Sequence, residues 1–232
     1  MKQPDFITEH VFELQHEVKG KFLDIKGTIA DAIREAAIFP DWQIDANLIK
    51  FYNGKTIDDK DIEAIISYNL IRFMSYDPST KNYFEEQLKK FIKTLRSLDV
   101  YDIPKINRFG VRTKCFIPSQ LTFNDIFKRI SQSLNNEYVS KLVGGIPNDT
   151  QLSFNTSEHG FTVRVTIGPI KPKEAKNYFS FKSDKLSSSG TYIDIDCFQV
   201  QQIENNEINE LINKAMKITW QKIENITNVL GV

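Results

Sequence analysis

The apolar residues of this chain switch between a period of two and a period of about 3.6, and the order of the switches occurs twice. Residues 11–18 alternate, placing Phe12, Leu14, His16 and Val18 on one face of a strand. GTIADAIREAAIF follows with Ile29, Ile33, Ala36 and Ala37 at helical spacing, Thr28 in the N-cap position and Pro40 as the stop. Residues 42–52 and 62–76 are extended stretches rich in Ile, Tyr and Phe, separated by the turn sequence NGKTIDD. STKNYFEEQLKKFIKTLRSL carries a helical stripe of Tyr83, Phe84, Leu88, Phe91, Ile92 and Leu95, with Glu85 and Lys89 at i,i+4 spacing.

After DVYDIPK the order returns: a strand over 106–117, the helix TFNDIFKRISQSLNNEYVSKLV, and two strands about a SEHG turn. A polar insert, KSDKLSSSG, precedes a strand over 190–200, and a long helix over 207–229 closes the chain. Gly144 reads as the stop after the helix before it. The expected fold is therefore α+β: two tandem strand-helix-meander-helix repeats, βαββα and βαβββα, with mainly antiparallel sheets. The expected units are 1–103 and 104–232.

Thirty basic and thirty acidic side chains cancel in the 232 residues. A nucleic-acid binder draws most of its affinity from neutralised phosphates, so this balance disfavours nucleic acid as a general partner. Cys115 and Cys197 lie far apart and lack a CxxC neighbour, a pattern that fits reduced thiols and a cytoplasmic protein. No run approaches 18 apolar residues, and the first residues are too polar for a secretory signal, so no membrane partner is expected.

The strand GTYIDIDCFQV poses the main chemical question. Tyr192, Asp194, Asp196 and Phe198 share one face, and Ile193, Ile195 and Cys197 the other. Asp194 and Asp196, with Glu158 as a third ligand, would suit Mg²⁺ and a phosphodiester or phosphate hydrolase. The alternative is a strand whose aspartates form its polar face. Glu158 and His159 stand together in the SEHG turn, where acid–base work and simple solvation are the competing readings. His16 fits a half-buried, hydrogen-bonded histidine, and His10 sits near the chain start.

Arg108, Arg112 and Lys114 fall on one face of the 106–117 strand, and Arg164 offers a similar charge on a neighbouring strand. Together they are the candidate ligand-binding residues, for a small anion. Their competing role is to bridge the Asp194 and Asp196 face of the same sheet, and Lys128 and Arg129 add charge on the next helix. Trp220 is either core or a partner anchor. GxxxxGK[ST], GxGxxG and GxSxG are all missing, so no catalytic residue and no cofactor is assigned.

INRFGVRTK resembles a strand with an Ile-Gly-Leu-Arg-Tyr-Ile-Asn core in a sporadically distributed family of bacterial proteins with no assigned reaction. YIDID, at 192–196, is similar to that family's LDID-like strand, and WQKIENIT, at 220–227, to its closing helix. Thr113 and Lys114 stand where the family strand continues Tyr-Ile. The resemblance implies a laterally transferred accessory or defence gene. The expectation is thus a non-enzymatic cytoplasmic binding module engaging a protein partner, a further copy of itself or a small anionic ligand.

Overall fold

The computed structural model describes residues 6–54, 61–134 and 149–231. Among the described residues nine strands form one sheet: β1 (Ile7–His16), β2 (Asp41–Ile44), β3 (Leu48–Tyr52), β4 (Ile62–Ser67), β5 (Leu70–Tyr76), β6 (Ile106–Pro118), β7 (Leu152–Glu158), β8 (Phe161–Ile170) and β9 (Gly190–Gln199). Their order is β2-β3-β4-β5-β1-β6-β9-β8-β7, and every neighbouring pair is antiparallel. The fold is mixed α and β with an antiparallel open sheet, as the alternating segments imply. The extended stretches over 42–52 and 62–76 are each a pair of strands, which makes the first half one strand pair richer than expected. Their turns, around Asp45 and at Tyr68–Asn69, contain neither Gly nor Pro and so carry no strong punctuation.

Five helices accompany the sheet among the described residues: α1 (Phe22–Glu35), α2 (Tyr83–Arg96), α3 (Phe123–Leu134), α4 (Pro172–Tyr178) and α5 (Ile208–Leu230). α1 begins six residues before Thr28 and ends before Ala36, and Ala37 turns left-handed at φ 53°. Thr28 is thus inside the helix, and burial of Phe22 rather than a side-chain cap fixes the start. α2 buries Phe84, Leu88, Phe91, Ile92 and Leu95, and Lys89 Nζ donates to Glu85 at 2.6 Å. The Gly144 stop and the end of its helix lie outside the described residues.

The main core is a single cluster between one sheet face and the four longer helices. Phe12, Phe51, Phe73, Phe109, Val163 and Ile195 enter it from the strands, and Phe22, Phe91, Ile130 and Ile212 from the helices. At roughly 25 cal/mol per Å² of apolar area removed from water, such burial is the dominant stabilising term. His10 is fully buried in this layer: Nε2 lies 3.0 Å from Thr8 Oγ1 and Nδ1 2.9 Å from Thr113 Oγ1. Its ring stacks on Phe84 at 4.9 Å and meets Trp220 edge-on at 5.7 Å. The histidine at the chain start is therefore a core residue, and Trp220 is packed against the core. Val18 lies past the end of β1 and is 71% exposed, not on the buried face.

Cys115 and Cys197 are buried and free. β6 and β9 pair Cys115 with Ile193 and Val111 with Cys197, so the thiols are four residues out of register, about 13 Å along the strands. A disulfide needs Cα atoms within about 7 Å. Burial pushes the Cys115 thiol far above its usual value and that of Cys197 up to about 11.

Candidate functional site

In an antiparallel pair, residues directly opposite share a face. The register therefore assigns every strand residue to the helix layer or to the opposite, open face. Asp41 of β2 faces out beside Lys50 of β3 and Glu63 of β4, then Arg72 of β5, Glu9 and Glu13 of β1, and Arg108, Arg112 and Lys114 of β6. Beyond these come Asp194 and Asp196 of β9 and Arg164 of β8. The sign of charge alternates strand by strand across eight strands, with six carboxylates against six cations. Each strand thus gives its neighbours opposite charges to pair with, as cross-strand stabilisation favours.

The pairs at the centre are close. Arg72 Nε and Nη2 lie 3.1 and 2.6 Å from Glu13 Oε2, and Arg108 Nη1 lies 3.1 Å from Glu13 Oε1. Burial works against the Glu13 charge, but hydrogen bonds from Arg72 and Gln15 and the two nearby guanidiniums outweigh it, leaving the carboxyl below its usual value. Gly110 stands opposite Glu13, and a Cβ there would come 3.2 Å from Arg108 Nη1. The glycine lets Arg108 lie across the sheet to its partner. Arg112 binds Asp194 through two nitrogens, at 2.9 and 2.5 Å, and those hydrogen bonds hold its guanidinium above its usual value.

A strap over residues 171–189 closes one corner of this face. Pro172 opens α4, and Glu174 accepts from the Lys171 backbone N–H at 3.0 Å, which fixes the helix start. Phe179 and Leu186 then join Ile7, Phe116, Ile170, Ala175 and Tyr192 in a second apolar cluster, separate from the main core. Polar contacts fasten the strap. Tyr178 Oη donates to Asp194, Lys114 Nζ donates to the Tyr178 carbonyl at 2.9 Å, and the Ser180 N–H donates to Glu9 Oε2 at 2.6 Å. Lys114 Nζ also donates to Glu9 Oε1 at 2.7 Å, and the Glu9 side chain is only 2% exposed. Burial and the Asp194 charge push the Tyr178 phenol well above its usual range.

Beside the strap lies an open basin of about 330 Å³, with Val11, Met74, Arg72, Arg108, Arg112 and Asp196 in its lining. Asp196 differs from its neighbours. Arg112 and Arg164 are its direct cross-strand partners, yet Arg112 turns to Asp194 and Arg164 Nε donates to Asn155 Oδ1 at 3.3 Å. Among the described residues Asp196 has no hydrogen bond and no ion pair within 4 Å. Burial raises its carboxyl above the usual value; Arg108 and Arg112 oppose the rise and the Asp194 charge adds to it.

The fold thus brings Arg108, Arg112, Lys114, Arg164, Asp194 and Asp196 onto one face. Glu158 is elsewhere: it pairs with Phe161 on the helix side, and Lys222 Nζ of α5 lies 2.7 Å from its Oε2. Among the described residues no three His, Cys, Asp or Glu side chains gather as a metal site. His159 and Gly160, at φ 50° and 84°, form the two-residue turn between β7 and β8, where left-handed backbone joins right-twisted strands. Lys128 and Arg129 are exposed on α3, in the helix layer. Glu9, Glu13 and Arg72, which complete the face, carry no motif; only the register of β1 with β5 and β6 shows them. No helix among the described residues is long and apolar enough to cross a membrane.

Compared with models of known protein families and with curated proteins, the chain matches none.

Proposed function

We propose that the chain is a non-enzymatic binding module that engages a protein partner through the open face of its sheet. One observation carries the reading: a face left bare by the four longer helices presents charge of alternating sign, strand by strand. Six charges of each sign give a polyanion no net counterion release to exploit, which argues against nucleic acid. A small anion would compete with Glu9, Glu13 and Asp194 for cations already held. A protein surface can offer both signs in register, and such patterns fix orientation and exclude wrong partners. A Mg²⁺-dependent hydrolase on Asp194 and Asp196 is the weaker reading, because Asp194 already serves Arg112 and Tyr178.

The same reading takes the two halves as structural repeats over 1–103 and 104–232. β1 and β6 each start a strand-helix-meander order, each meander returns to pair with its own first strand, and β1 pairs with β6. It also places the chain in the sporadically distributed bacterial family, as a cytoplasmic accessory or defence protein.

The test is capture on immobilised protein, from host extract and from a solution of differently tagged copies. The open-face variants Val11→Glu and Met74→Glu are compared with Arg34→Glu on exposed α1. Loss of the retained protein in the first two, with melting curves like wild type, supports the reading. Equal retention by all three variants rejects it.

A further inference from the structure

The two edges of the sheet are built differently. β2 is four residues long, carries Asp41, and runs into a turn where Lys26 Nζ takes the Asp45 and Ala46 carbonyls at 2.8 and 2.5 Å. Shortness and charge are the usual protections of an exposed edge. β7, at the other end, has seven residues, no proline, no bulge against β8 and no charge before Glu158. Ser153, Phe154, Asn155, Thr156 and Ser157 are all exposed. Phe154, at 48%, is the most exposed aromatic ring among the described residues.

The hairpin fixes which backbone groups of β7 are spare. Residues flanking a two-residue turn exchange both of their hydrogen bonds, so Glu158 pairs in this way with Phe161. Alternation then commits Thr156, Phe154 and Leu152 to β8 and turns the N–H and C=O of Ser157, Asn155 and Ser153 outward. Among the described residues nothing meets those outward groups. The row is held at both ends: His159 and Gly160 make the turn, and Tyr192 Oη donates to Gln151 Oε1 at 2.8 Å.

We infer that β7 is a dimerisation edge: it pairs antiparallel with β7 of a second copy of this chain, about a twofold axis normal to the sheet at Asn155. That register alone matches all seven residues. It sets Asn155 opposite Asn155, Ser153 opposite Ser157, Phe154 opposite Thr156 and Leu152 opposite Glu158, so like charges never meet. The outward groups of each copy bond those of the other, an isologous contact that closes on itself. α3 packs on β8 and β9, and β8 of the two copies lie three strand spacings apart, about 14 Å. Packed helices stand about 8–10 Å apart, so the α3 helices do not collide, and the two Phe154 rings enter the gap beside Val163 and Val165. The strap is no obstacle, because the pairing runs in the plane of the sheet. It packs over β1, β5, β6 and β9 and on Ile170, past the Leu152–Ile167 pair where β7 begins. Both open faces then point to the same side. The inference goes beyond the open-face reading and does not depend on it.

An edge about 24 Å long offers less than the roughly 800 Å² per partner of a standard interface, so association in the micromolar range is expected. Sedimentation velocity from about 1 to about 100 μM reads it. Wild type should dimerise, with a dissociation constant that changes less than about threefold between about 0.05 and about 0.5 M salt, because main-chain bonds and rings hold the joint. Ser157→Pro removes an outward N–H and no bond to β8, a change that edge strands tolerate. Phe154→Lys puts charge at the joint. Each should weaken the dimer about tenfold or more, with melting curves like wild type, and Val11→Glu on the open face should leave it unchanged. Cysteine pairs read the register. Ser153→Cys mixed with Ser157→Cys should cross-link at least about tenfold faster than Ser153→Cys alone, whose thiols stand about 13 Å apart along the strands. The native thiols are buried and stay out of that reaction. Wild type that stays monomeric at about 100 μM overturns the inference. A dimer that both edge variants keep, that Val11→Glu dissolves, or that cross-links equally in both combinations overturns it as well. Capture from host extract remains the separate test of the open face, and is run in the Ser157→Pro background so that self-pairing does not mask it.

Discussion

Arg112 stands opposite Asp196 in the register of β6 and β9, but its guanidinium passes that residue and binds Asp194 diagonally, one row along the sheet. The Tyr178 hydroxyl, from the strap, completes the carboxylate of Asp194. Two aspartates that look equivalent in YIDID are therefore held in opposite ways. One anchors the strap and the other is unpaired.

Asp194→Asn should destabilise the protein. The change removes a bidentate charge-assisted pair and weakens the acceptor for Tyr178, at a side chain 12% exposed beside an arginine 45% exposed. Hydrogen bonds to charged groups contribute about 1.5–3 kcal/mol each, discounted here because Arg112 can recover water. Urea unfolding at neutral pH should show a loss of about 1–3 kcal/mol. Calorimetry with Mg²⁺ or Mn²⁺ should show no binding tighter than roughly millimolar in wild type, about −4 kcal/mol. Tighter binding that vanishes in Asp194→Asn would restore the hydrolase reading.

Asp196→Asn should behave oppositely. Burial holds the folded carboxyl above its usual value, so the folded state takes up its proton at higher pH than the unfolded chain does. That preference favours folding below the unfolded value, near 4, and is lost as pH rises through the folded value. At pH 7 the ionised, unpaired Asp196 is a cost, and Asn removes it. Melting curves should place the variant at or above wild type at pH 7, with the gap closing by pH 4. A clear loss of stability at pH 7 would show that Asp196 has a partner in the folded chain.

Lys114→Met addresses the strap. The Lys114 ammonium, 12% exposed, lies between Glu9 and the Tyr178 carbonyl, and its removal leaves the Glu9 carboxylate buried with the Ser180 N–H as its remaining direct donor. Breaking one side of a buried pair costs about 3–5 kcal/mol. Hydrogen exchange should rise first at Tyr178 to Phe181, while the core strands stay protected. Unchanged exchange there would refute the fastening role.

These contacts also show where sequence reading stops. Alternation within β6 and β9 placed Arg108, Arg112, Lys114, Asp194 and Asp196 on their faces, because each strand buries one side and the pattern is local. Pairing register is not local. Nothing in INRFGVRTK says that Lys114 meets Glu9, 105 residues earlier, or that Arg112 skips its opposite residue. Thr28 resembles a cap and so predicts too late a start for α1, whereas the helix start is fixed by Phe22 entering the core. The two hairpins of the first half turn without Gly or Pro, through Asp45 and Asn47 and through Asn69, and the polar spelling of KSDKLSSSG conceals Leu186, which is buried in the second cluster.

His10 provides the last prediction. Its ring is enclosed by Phe84, Trp220, Thr8 and Thr113, and burial drives its pKa down to about 3. The unfolded chain binds this proton near pH 6.5, well before the folded chain does. Its contribution to stability is therefore complete above about 6.5 and is lost progressively as pH falls toward 3, by at most about 1.4 kcal/mol per pH unit. His10→Gln keeps a side chain that can bond both threonines but cannot take up the proton. The variant should be less stable than wild type at pH 7, because the stacked ring is lost, and should fall less steeply between pH 6.5 and 4. Urea unfolding followed by tryptophan fluorescence at four pH values measures both slopes. Parallel slopes would mean that the folded protein takes up the His10 proton as readily as the unfolded chain does, and would refute the burial of the neutral ring as a source of acid lability.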